Sequence, residues 1–77
     1  MSRVIEKVDL TLYGCPMHYI KAREVVGRMT IDQAILFDIN NGDAVDDVMK
    51  SLRQDGQLCE IASKQPLTTT VKVIKRI

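Results

Sequence analysis

The apolar residues of this chain switch repeatedly between two spacings, every second residue and every third or fourth. That switching restricts the folds open to the chain. Val4, Val8, Leu10 and Leu12 recur at even positions, Glu6 excepted, which predicts a strand over Val4 to Leu12 with one buried side. Tyr19, Ala22, Val25, Val26 and Met29 then follow a helical stripe, predicting a helix from about Pro16 to Met29, with Arg28 placed for its C-terminus. Period two returns over Gln33 to Ile39, where Ile35, Phe37 and Ile39 face one way and Leu36 and Asp38 the other. Asn40-Asn41-Gly42-Asp43 is turn chemistry, and either Asn41 or Asp43 is suited to cap a second helix. That helix, Asp43 to about Gln54, places Val45, Val48, Met49 and Leu52 on one face, and Gly56 reads as its stop. Strands over Gln57 to Ala62 and Leu67 to Arg76 complete the chain, linked by Ser63-Lys64-Gln65-Pro66.

The order is therefore βαβαββ. Right-handed crossovers place both helices on one face of the sheet, so the expected fold is α+β, a two-layer α/β sandwich. The uncovered face would carry Ile5, Leu36, Leu58 and Ile74 among polar residues, either as a partner surface or as scattered exposed residues.

With 77 residues the chain suits a single domain over 1–77. A domain this small buries only about 60% of its unfolded surface and has little room for a substrate cavity beside its core. A formal net charge of +1 supplies no basic field for nucleic acid or an anionic membrane, and one Phe, two Tyr and no Trp offer little for base stacking. Charge interrupts the N-terminal residues before a signal-peptide core could form, and no run is long enough to span a membrane. Two distant cysteines make no disulfide framework, although a Cys15–Cys59 bridge is possible. Reduced thiols in the cytoplasm are the simplest expectation.

Gly14-Cys15-Pro16-Met17-His18 carries the chemistry. Proline suits the first position of a helix, which would put Cys15 at the N-cap, near free backbone N–H groups and the positive end of the helix dipole. Both favour a thiolate, the nucleophilic form. The alternative is that Cys15 is a small apolar filler, as many cysteines are. His18, three residues on, has two readings: an imidazole that assists the thiol, or a structural substitute with no chemical part. Cys15-x-x-His18 is also half of a zinc site, but the chain has no other His and only Cys59 as a further Cys, so no metal is expected. Nothing orients His18 for a self-contained cysteine hydrolase. Cys59 shares a strand face with Ile61 and reads as core. Lys21, Arg23 and Arg28 form a basic helix side, either a contact for an acidic partner or an ordinary solvated face.

Asp9-Leu10, Cys15-Pro16 and Lys21-Ala22-Arg23, in this element order, resemble the TusA/SirA/YedF family of small sulfur carriers over nearly the whole chain. The family signature is Cys-Pro-x-Pro; here Cys15, Pro16 and Met17 fit it, and His18 stands where the second proline is expected. Leu12 occupies a place that is commonly glycine, and Asn41-Gly42-Asp43-Ala44 stands in the region of an Asp-Pro-Gly-Ala turn. The resemblance implies a fold similar to the C-terminal domain of translation initiation factor 3, with a mixed sheet in the order 1-2-4-3. It also implies a persulfide relayed on Cys15 between sulfur-donor and sulfur-acceptor proteins, without a cofactor. Beside that resemblance, the residues themselves offer Pro16 and His18 as supports for the thiol and Lys21 and Arg23 as contacts for partners. Such a carrier can be classed as a sulfurtransferase. The competing expectation is a thiol-based regulatory or protein-binding module on the same fold. RNA binding rests on fold analogy alone.

Overall fold

The structure is a computed structural model that describes residues 3–14 and 16–77. Its elements run β1 (Arg3–Asp9), α1 (Met17–Gly27), β2 (Gln33–Asn40), α2 (Asp43–Gln54), β3 (Leu58–Lys64) and β4 (Thr68–Ile74), the order expected from the spacing. The four strands form one sheet in the order β1-β2-β4-β3; β1 pairs parallel to β2, and β4 runs antiparallel between β2 and β3. This is the two-layer α+β sandwich. Ile35, Phe37, Ile39, Val71, Val73 and Cys59 from the sheet meet Ala22, Val26 and Met29 from the first helical segment and Val45, Val48, Met49 and Leu52 from α2 in one buried core.

β1 departs from regular alternation. Val4 pairs with Ala34, but Lys7 pairs with Leu36, so β1 carries one extra residue between them. An inserted residue reverses which side the flanking side chains take. Val8, opposite Phe37, packs on the core, whereas Val4, opposite Ala34, lies on the uncovered face at 44% exposure. Val4 and Val8 therefore do not share a face. Leu12 is not part of the strand and is 85% exposed. The strand stops at Asp9 because its carboxylate accepts from the Thr11 backbone N–H at 2.8 Å and from the Thr11 hydroxyl, which turns the chain. Leu10 donates its N–H to the Asp38 carbonyl and closes one end of the core.

On the uncovered face, register aligns Val4, Ala34, Ile74 and Leu58 in one row across all four strands. Leu36 lies in the next row with Lys72 and Glu60. Leu36, Leu58 and Ile74 thus fall on the expected side; the side chain of Ile5 lies outside the described set.

α2 spans the expected residues, but its N-cap is Gly42, at φ 104°, rather than Asn41 or Asp43. Asn41 is engaged elsewhere: its amide donates to the Gln65 and Pro66 carbonyls, and its side-chain oxygen accepts from Thr69. Gly56, at φ 93°, ends the helix: Gly56 N–H bonds the Arg53 carbonyl and Gln57 N–H the Leu52 carbonyl, a Schellman closure. α1 ends earlier than its stripe suggested, with Arg28 as C-cap. The Arg28 guanidinium turns back to Glu24, and the carbonyls of Gly27 and Met29 are met instead by Lys75 Nζ at 3.3 and 2.9 Å.

Candidate functional site

The junction between β1 and α1 is tied to the sheet at several points. Tyr13 N–H bonds the Leu10 carbonyl, and Asn40, at the end of β2, donates its amide to the Thr11 carbonyl at 3.0 Å. Gly14 and Pro16 are both exposed. Cys15 lies outside the described residues. Pro16 is the N-cap of α1 and Met17 its first residue, one position later than expected, so the N-cap assigned to Cys15 belongs to Pro16. No side chain caps this end, and no acidic residue stands in the first turn. The positive end of the helix is therefore uncompensated by the described side chains.

His18 does not project outward. It is 3% exposed and is buried with Ala22 and Val26 along α1. Spacing carried this signal: His18 precedes Ala22 by four residues and so continues the apolar stripe. Its Nδ1 lies 3.3 Å from the Gly14 carbonyl oxygen, which also accepts the His18 backbone N–H at 3.0 Å. A carbonyl only accepts, so Nδ1 bears a proton; in the neutral ring Nε2 then carries the lone pair. Nε2 is buried and has no partner among the described residues. Beside His18 runs an open groove of about 350 Å³, shared with Tyr19 and with Asp47, Lys50, Ser51 and Gln54 of α2.

The basic side of α1 is internally paired. Lys21 Nζ lies 3.5 Å from Glu24, Arg23 Nε 2.7 Å from Asp55, and Arg28 2.7 Å from Glu24. A second surface was not evident from the helical stripe: Leu12, Tyr13, Met17 and Ile20, all substantially exposed, gather in sequence around Cys15. For Tyr13, Met17 and Ile20 the signal is apolar identity at positions outside the core periodicities; Leu12 continues the alternation of the first strand and gives no such signal.

Cys59 is a core residue, as its strand position suggested, and burial pushes its thiol up to about 11. No group of three or more metal-ligating side chains occurs among the described residues, nor any helix long and apolar enough to cross a membrane.

No protein-family model and no curated protein matches the chain. Among solved structures, a SirA-like protein from Desulfitobacterium hafniense superposes with a TM-score of 0.80, covering 95% of this chain and 100% of that one. The fold is SirA-like. Sequence identity to that structure is 15%, and at that level the likeness concerns the fold. The sheet order is the 1-2-4-3 that the family resemblance implies, and it leaves β1 at one edge of the sheet.

Proposed function

We propose that this protein carries sulfane sulfur as a persulfide on Cys15. The observation that carries the reading is the position of Cys15 in the sequence: it immediately precedes the Pro16 N-cap of α1, on a SirA-like fold. The chemistry asks little else of a small domain. The Cys15 thiolate attacks the terminal sulfur of a donor persulfide, R–S–SH. A new S–S bond forms to Cys15, the donor S–S bond breaks, and R–S⁻ leaves. The sulfur then passes to an acceptor thiolate by the same exchange, with no net oxidation. No described groove encloses a substrate, so the donor and acceptor proteins supply the rest of each site. We place the exchange in a reducing cytoplasm, where the thiolate persists.

Pro16 sets the chain direction into α1. Lys21 and Arg23 are the proposed contacts for acidic partner surfaces, each exchanging an intramolecular carboxylate for one on the partner. Exposed ion pairs such as Lys21–Glu24 contribute only ~0–1 kcal/mol, so this exchange costs little.

The test is intact mass after incubation with a sulfane-sulfur donor under non-reducing conditions. Wild type and Cys59→Ser are expected to gain one reducible sulfur atom, and Cys15→Ser none. If donors of several kinds leave the wild type unmodified while Cys15 still reacts with a thiol reagent, the carrier reading gives way to a thiol-based regulatory or protein-binding module.

A further inference from the structure

We propose that His18 is a positioning residue for Cys15: its Nδ1–H and its own backbone N–H together hold the Gly14 carbonyl. This rests on the reading of Cys15 as the reacting thiol. The Gly14 carbonyl belongs to the planar peptide unit that joins Gly14 to Cys15, so holding its oxygen restrains the link leading into Cys15. Two donors converge on that oxygen, at 3.0 Å from the backbone and 3.3 Å from the ring. The ring itself is buried and meets Tyr19 edge-on, with the two ring centroids 6.3 Å apart.

The same geometry separates His18 from proton transfer. Nδ1 is committed to a carbonyl, and the remaining nitrogen is buried without a partner among the described residues. A shuttling base must exchange its proton with solvent or substrate, and Nε2 is closed off from solvent. The charged groups facing His18 across the groove are Asp47 and Lys50 of α2; no hydrogen bond or ion pair joins either to His18 among the described residues. The family signature gives the device its sense. Where that signature has a proline, whose ring fixes the backbone covalently and which lacks an N–H, this chain has a residue that fixes it by donating twice.

Two measurements test the proposal. The chain has a single histidine, so long-range proton–nitrogen correlation spectra report its tautomer directly. Protonated Nδ1 and bare Nε2 are expected; the opposite tautomer overturns the clamp. The second is the pH–rate profile of Cys15 alkylation by iodoacetamide in a Cys59→Ser background, comparing His18→Asn with His18→Leu. Asparagine keeps a donor near the place of Nδ1 but offers no base; leucine fills the volume without a donor.

Loss of the donor is expected to slow alkylation near neutral pH about 3- to 10-fold in His18→Leu, with the profile displaced to higher pH, while His18→Asn stays within about twofold of wild type. An unchanged His18→Leu profile overturns positioning. Equal losses in both variants assign the effect to the ring rather than its donor and also overturn it. Should His18→Leu fail to fold, His18→Met, which also lacks the donor, takes its place in the same comparison beside the tautomer. Alkylation reads the thiol whether or not sulfur is transferred, so failure of the carrier reading and failure of the clamp are separate results.

Discussion

Cys59 cannot ionise in the folded chain without bringing charge into the core beside Val71 and Val73. Desolvation pushes its thiol up from 9.0 to about 11, against a smaller opposing pull from the Arg53 guanidinium. Between those values the unfolded chain has lost the proton that the folded chain retains, so unfolding becomes easier as pH rises. The expected outcome is a fall in urea midpoint from about pH 9 to about pH 11 that is steeper in wild type than in Cys59→Ala, the difference amounting to about 1–3 kcal/mol over the window. Below pH 9 the thiol contributes no slope. The core placement of Cys59 was legible because it alternates with exposed neighbours in a strand. The burial of His18 was not, because residue type argued for solvent while spacing argued for the core. Spacing is the more physical guide, since a neutral imidazole with one satisfied nitrogen can be buried.

At the scale of elements, α2 shows what period alone can establish. Val45, Val48, Met49 and Leu52 fixed its bounds and face, and three acidic residues near its start agree with the helix dipole. Its N-cap was less legible: Asn41 is the better capping type, but the β3–β4 hairpin engages its side chain, and that demand comes from residues more than twenty positions away. The insertion in β1 was hidden for a similar reason, since register belongs to a pair of strands and alternation to one. The C-terminal closure at Gly56 is local and was legible. An alanine there would hold φ near 93° against its own Cβ, which would also meet Ile77 Cδ1 at 2.5 Å. Gly56→Ala is expected to cost about 1–2 kcal/mol in urea unfolding. Removing the contact as well, in Gly56→Ala/Ile77→Ala, recovers only part of that loss, because the backbone strain remains.

Over the whole molecule, the element order was legible from spacing. The sheet order was not, because nothing in the period of β4 says that it lies between β2 and β3; only the family resemblance supplied it. One long-range tie comes with that placement. Lys75, just past β4, reaches the carbonyls at the end of α1, which has no basic residue in its last turn. Lys75→Met keeps the stem and removes the donor; it is expected to cost about 1 kcal/mol in thermal or urea unfolding. Arg28→Met, whose charge is spent on Glu24 at the surface, is expected to change stability by less than about 0.5 kcal/mol.

The central position of β4 also bears on how the chain is made. β3 joins the sheet only through β4, which leaves the ribosome after the other three strands. While the chain has emerged only as far as Pro66, β1 and β2 can pair, but β3 has no strand neighbour. β3 stays unpaired until Thr68 to Ile74 emerge and join it to β2.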